Sequence, residues 1–298
     1  EARDVSTLIE TMLEIEEIDD GLFRGGKLWK PMMARGAFGG HVVGQSLVAC
    51  VRTVAVDKAV HSFHSYFVMA ADAEVPIIYT VQRLRDGRSF ATRSCVATQQ
   101  GRTIFCCMAS FHRLEVPKFR HQLPMPVAPP PESLPDSRTR VLRLLDDERV
   151  PDFYKDLLQK NLSKQGPIDM RYCAPSDPVE PTKTAPHNMV WLRAHGDITD
   201  LATHAMHQCV LAYASDLALL GTAMLPTGHA RKDVAMMASL DHSLWFHSDF
   251  RADRWLLYEM ESTRYDGNRA YTTGRVFQED GTLVASVAQE GVIRFQEA

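Results

Sequence analysis

The chain lacks the marks of several large functional classes. No run approaches the ~20 consecutive apolar residues that a membrane-spanning helix needs, and the first residues are charged where a secretory leader would be apolar, so no stable membrane anchor is expected. A formal charge of −4, with lysines and arginines scattered along the chain, leaves no basic face for nucleic acid. The six cysteines, Cys50, Cys95, Cys106, Cys107, Cys173 and Cys209, contain no CxxC pair. Neither a zinc ribbon nor a disulfide framework is written there, and reduced thiols in an intracellular compartment are expected. No GxSxG elbow occurs, which removes the commonest serine-nucleophile hydrolase. His204 and His207 share a helix face only loosely and have no further ligand at metal-site spacing, so neither a metal nor a cofactor is called for.

What is present is the composition of a globular protein, 45% hydrophobic and 23% charged over 298 residues, enough for one large domain or two ordinary ones. Leu8, Ile9, Met12, Leu13 and Ile15 predict a short amphipathic helix within residues 1–20, ending near Asp19-Asp20-Gly21. After Gly39-Gly40, small and apolar residues recur at helical spacing from His41 to Val56. Four strand-like runs follow, His61–Ala70, Val75–Arg85, Arg88–Gln99 and Arg102–Arg113, the last three separated by Asp86-Gly87 and Gln100-Gly101 turns. This is how an antiparallel meander is written.

The second half repeats the pattern. HSYF at 64–67 returns as HSLWF at 242–246, Asp86-Gly87 as Asp266-Gly267, and Gly101 as Gly281, the two glycine pairs at an offset of 180 and the histidines at 178. The second helix is expected over His204–Leu220, and Ile168–Cys173 and Asn188–Ala194 read as the first strands of this copy. A helix-then-meander unit written twice implies an internal duplication, each apolar helix wrapped by an antiparallel sheet. The expected organisation is a first unit over 1–113, a connector over 114–166 and a second unit over 167–298. The connector carries a proline-rich stretch and a polar helical segment, Arg138–Lys164.

Duplicated units share a core by descent, so a polar residue found in only one copy is not explained by the fold alone. Asp216 lies in the greasy part of the second helix, sharing a face with Ala212, Tyr213, Leu219 and Leu220, and the first helix has no acid to match it. A carboxylate there is either well satisfied by hydrogen bonds or poised for proton chemistry. Gln289 replaces Ala109 at offset 180 and alternates in phase with Leu283, Ala285, Val287 and Ile293, which points it inward. Ser239 replaces His61 at offset 178, but the alternation around it is mixed and does not place it. The three can hold a water that Asp216 deprotonates while Gln289 and Ser239 aim it at a carbonyl, or they can form a buried trio that satisfies itself. His64 and His242 recur at matching strand positions, which assigns them structural hydrogen bonds.

Six blocks carry a resemblance over nearly the whole chain: ARGAFGGHVVGQSLVA (34–49), VHSFHSYFV (60–68), LRDGRSFATRS (84–94), AYASDLALL (212–220), ASLDHSLWFH (238–247) and LVASVAQEGVIR (283–294). In this order and spacing they resemble the acyl-CoA thioesterase II family, which includes bacterial and peroxisomal members. The resemblance implies an α+β double hotdog fold and hydrolysis of fatty acyl-CoA to free acid and coenzyme A. It places Asp216 on the family's catalytic acid, Gln289 on its glutamine and Ser239 on its Ser/Thr hydroxyl. No SKL-type tripeptide closes the chain, so the compartment stays open between the peroxisomal matrix and the cytoplasm. A homodimer is expected through open sheet edges. Two rival readings are an enoyl-CoA hydratase and a non-catalytic acyl-binding protein. Hydratases of the hotdog group carry a histidine five residues after the aspartate, where this chain has Gly221. The oxyanion of a thioester hydrolase is expected near a helix N-terminus, Gly40-His41 being one candidate.

Overall fold

The computed structural model describes residues 8–26, 28–30, 36–162, 166–198 and 204–296. In chain order its elements are α1 (Leu8–Leu13), β1 (Ile15–Asp19), β2 (Leu22–Gly25), α2 (Gly39–Arg52), β3 (Lys58–Phe67), β4 (Ile77–Asp86), β5 (Phe90–Gln99) and β6 (Arg102–Arg113). Then come α3 (Ser137–Asp146), α4 (Asp152–Asn161), β7 (Ile168–Tyr172), β8 (His187–Ala194), α5 (His204–Ala214), β9 (Val234–Ser239), β10 (Asp241–Phe246), β11 (Leu256–Asp266), β12 (Arg269–Gln278) and β13 (Leu283–Phe295).

The strands form one antiparallel sheet in the order β1-β2-β4-β5-β6-β3-β10-β13-β12-β11-β8-β7, with β9 also on β13. Read outward from the centre, the two halves use their strands in the same sequence. They meet at β3 and β10, where His64 faces Ser243 and Ser65 faces His242. Even the irregularities match: β4 shifts register between Arg83 and Arg85, and β11 between Ser262 and Arg264. This is the double hotdog, the twist of each half curling around its own helix.

The helices α2 and α5 pack antiparallel in the middle. Nearly all of α2 from Gly40 to Cys50 is buried, as is α5 from His207 to Ala214, which explains why neither carries a polar face. Most of their polar groups are paired instead, the buried Gln208 Oε1 being an exception. Gln45 donates to the Met12 carbonyl and accepts from the Tyr79 hydroxyl, and Gln208 donates to the Val60 carbonyl. Gly40 and Gly44 allow the close crossing: a Cβ on Gly40 would stand 2.3 Å from the Tyr213 carbonyl oxygen, and one on Gly44 3.3 Å from the Tyr213 Cβ. The start of α2 therefore lies against the end of α5.

Four expectations need correction. The N-terminal helix stops at Leu13, and Ile15–Gly25 is a β-hairpin whose turn holds Gly21 at φ 70°. Ile15, counted with that helix from the sequence, is the buried first residue of edge strand β1, whose Glu16–Asp19 are all exposed. The segment Arg138–Lys164 is two helices broken between Asp146 and Asp152, and its last residues lie outside the described ones. Pro151 ends the intervening turn and opens α4, since proline suits a helix start and not its interior. The second helix ends at Ala214, not Leu220, so Asp216 sits in the turn beyond it; a 3₁₀ segment then runs from Leu220 to Thr227.

The fourth correction concerns the match between halves. His64 is exposed, whereas His242 is buried. In the sheet Phe63 faces Ala109, and His242 lies one residue from the Ser243–Ala288 pair, opposite Gln289, so His242 takes the place of Phe63. By the same reading Ser239, facing Gly291, corresponds to Val60, facing Phe111, and not to His61. The four steps from Ser239 to Ser243 span three on β13, from Gly291 to Ala288, an extra residue at the β9–β10 junction. That bulge flips the strand's parity, which is why alternation could not place Ser239.

Candidate active site

Helix α5 delivers Asp216. Its final turn closes with the Ser215 amide on the Leu211 carbonyl, the Leu217 amide bonds Ala214, and the Tyr258 hydroxyl caps the Ser215 carbonyl. Two residues after Asp216, Ala218 adopts φ 64°, a left-handed conformation costly for a residue with a Cβ. The strain sits in the turn that aims the carboxylate.

The carboxylate meets the start of α2. The Gly40 amide donates to Asp216 Oδ2 at 2.8 Å, one of the N–H groups a helix start leaves without an intrahelical partner. Gly39 must lack a side chain, because its Cβ would stand 2.8 Å from the same oxygen. On the other side the Ser239 hydroxyl donates to Oδ1 at 3.4 Å, and Gln289 Nε2 donates to Ser239 Oγ at 2.7 Å. The three residues named from the sequence thus meet in one hydrogen-bonded row, supplied by the α5 turn, the end of β9 and the middle of β13. Gln289 is fully buried, while Asp216 and Ser239 keep part of their surface open.

Burial raises the Asp216 pKa to about 6, against the lowering effect of the bonds from Gly40, Gln289 and Ser239. An acid with that value is largely ionised at neutral pH yet basic enough to take a proton, the property a general base needs. The Gly40 amide, one candidate for an oxyanion donor, is directed at Asp216, and the His41 amide bonds the Phe38 carbonyl. Gly221 leaves open space where a hydratase histidine would stand.

The sequence missed one member. His242 was assigned to structure by its repeat in the first half, but its Nδ1 lies 2.5 Å from Gln289 Oε1 and its Nε2 2.8 Å from Ser215 Oγ. Burial pushes its pKa down to about 4 and keeps the ring neutral. The signal was the one used for the other three, a polar residue in one copy only, hidden by the one-residue misalignment. His61 instead bonds Ser110 Oγ in the other half.

The corresponding place in the first half is sealed. Arg93 faces Ala109 as Thr272 faces Gln289, and the Arg93 side chain is buried. Its guanidinium bonds Thr53 Oγ1 and the Thr53, Arg85 and Thr92 carbonyls, and pairs with Asp86. Thr272, by contrast, carries a buried hydroxyl without a hydrogen-bond partner beside Gln289. One half is plugged by an arginine; the other is lined with small polar groups. Cys50, Cys95 and Cys107 bring their sulfur atoms within 4.8 Å of one another, the one grouping with metal-ligand spacing among the described residues. It is sealed in the core of the arginine-plugged half and touches none of the Asp216 row.

Both halves of the chain match known proteins. Residues 27–112 match the family model described as the acyl-CoA thioesterase N-terminal domain, and residues 165–292 match that described as acyl-CoA thioesterase. The chain is 44% identical to human "Acyl-coenzyme A thioesterase 8", over 97% of this chain and 89% of that protein. It is 35% identical to "Acyl-CoA thioesterase 2" of Haemophilus influenzae, over 96% of both. The crystal structure of an acyl-CoA thioesterase II from Mycobacterium marinum superposes with a TM-score of 0.76 at 38% identity, covering 97% of this chain and 99% of that one. With similarity of this extent in both halves, the chain belongs to the acyl-CoA thioesterase family.

Proposed function

We propose that the protein hydrolyses fatty acyl-CoA thioesters to free fatty acid and coenzyme A by direct attack of water. The observation that carries this reading is the row Asp216–Ser239–Gln289, with one oxygen of a raised-pKa carboxylate held by the Gly40 amide and the other turned to the Ser239 hydroxyl. A water beside Oδ1 gives its proton to Asp216 as its oxygen bonds to the thioester carbon. Gln289 and Ser239 fix its lone pair toward that carbon. The carbon–sulfur bond then breaks, and the proton on Asp216 passes to the departing coenzyme A thiolate.

The rival hydration reading needs a second titratable group able to hand a proton to the substrate. His242 has both ring nitrogens engaged by Gln289 and Ser215, so it offers none. The compartment is proposed as the peroxisomal matrix or the cytoplasm. The test is to incubate the protein with palmitoyl-CoA and a thiol reagent and, separately, with an enoyl-CoA. Thiol release supports the reading, and Asp216→Asn should abolish it. Loss of enoyl absorbance without thiol release would replace it with hydration.

A further inference from the structure

Resting on the site reading above, the geometry points to His242 as a positioning residue that fixes the direction of the whole hydrogen-bond row by presenting an Nδ1–H to the Gln289 carbonyl oxygen.

The argument starts at the charge. An ionised carboxylate can only accept, so between Asp216 Oδ1 and Ser239 Oγ the proton belongs to serine. The serine's single proton being spent, its oxygen must accept from Gln289, which turns Nε2 toward Ser239 and Oε1 toward His242. An amide oxygen can only accept, so His242 Nδ1 must carry hydrogen. The ring is neutral, so Nε2 is bare and takes the Ser215 proton across 2.8 Å.

The opposite wiring can also be drawn, because Ser215 Oγ lies 3.0 Å from the Ala212 carbonyl. Ser215 would then donate there, His242 would donate from Nε2, Gln289 would turn its NH₂ to the ring, and Ser239 would give its proton to Gln289 Oε1. Asp216 would lose Ser239 as a donor, and the water would face an amide oxygen in place of an N–H. A glutamine side chain alone has no preference between the two faces of its amide. The ionised Asp216 carboxylate selects the first wiring, and the Nδ1–H of the imidazole holds the Gln289 amide in it. Phe63, in the matching place of the plugged half, can supply nothing of the kind.

Since His242 reaches no atom of the water site directly, its loss should fall on kcat and leave KM nearly unchanged. His242→Phe keeps the bulk and copies the first half's residue. It should lower kcat at least 30-fold and move the acid limb of the rate–pH profile upward, since Ser239 no longer lowers the Asp216 pKa. The titratable groups facing Asp216 are Tyr213 from α5 and Tyr258 from β11, while His242 from β10 joins it only through Gln289 and Ser239. Burial pushes both phenols up and His242 down to about 4, so Asp216 carries the limb. His242→Asn can place an N–H where Nδ1 stood and should restore most of kcat and the original limb. Nitrogen-15 NMR of the wild-type protein at pH 8 should show a neutral, Nδ1-protonated His242. An Nε2-protonated ring overturns the inference, as does His242→Phe with wild-type kcat and limb. If His242→Phe does not fold, the tautomer and the asparagine variant decide. Should Asp216→Asn stay active, the site reading fails; should it be inactive while His242→Phe is fully active, only the role of His242 fails.

Discussion

Replacing Asp216 with asparagine should remove turnover and make the protein more stable, and the gain should depend on pH in a way fixed by the site. The carboxyl titrates near 3.8 when unfolded and at about 6 in the native protein, because burial disfavours the charge. Below pH 3.8 both states are protonated and the group contributes nothing. Between there and about 6 the unfolded chain has released its proton while the native one holds it, so stability falls as pH rises; above about 6 the loss is complete. At ~1.36 kcal/mol per pKa unit the loss is at most about 3 kcal/mol. A chain of this length has an unfolding entropy of about 0.6 kcal/mol/K, so the difference corresponds to about 5 °C in Tm. Asparagine keeps an oxygen for the Gly40 amide and removes the charge. Thermal melts of both proteins from pH 4 to pH 8 should therefore coincide at the acid end, diverge through pH 5 and reach a plateau, the variant melting higher. A difference independent of pH, or a wild-type protein that melts higher at pH 8, would refute the reasoning.

Other consequences follow from the same geometry. The rate should track ionised Asp216, halving near pH 6 and falling to about one-tenth at pH 5, as a kcat–pH profile will show. Gly40→Ala forces a methyl to 2.3 Å from the Tyr213 carbonyl, so α2 must withdraw from Asp216. A loss of about 1–3 kcal/mol in denaturant melts and a fall of at least tenfold in kcat are expected. Arg93→Met strips donors from the Thr53, Arg85 and Thr92 carbonyls in the plugged half. It should cost about 3 kcal/mol or more in urea unfolding, yet leave kcat/KM of the folded protein unchanged.

The sheet was legible because its turns are chemically explicit. Gln100-Gly101 and Gly267-Asn268 hold positive φ, and β5, β12 and β13 beside them alternate over most of their length. Gln289 was placed by that alternation alone. The end of α5 was not legible, since Leu217, Leu219 and Leu220 prolong the apolar pattern past it and neither glycine nor proline marks the break. The helix ends where the Asp216 turn meets α2, a contact between residues 176 apart in sequence. His242 was hidden because the HS motifs of the two halves lie one step out of structural register, so that His242 lies opposite Gln289 where Phe63, and not His64, pairs with Ala109. In each case the missing information was tertiary, a contact that overrode a local pattern.

The central claim is that Asp216 takes a proton from water and never bonds to the acyl group. A single turnover of palmitoyl-CoA by stoichiometric protein in ¹⁸O-labelled water tests it most directly. Direct attack predicts one labelled oxygen in the first palmitate released and none in the peptide containing Asp216. Unlabelled first-turnover palmitate, with the label retained on Asp216, would show an acyl anhydride on the enzyme and contradict the account.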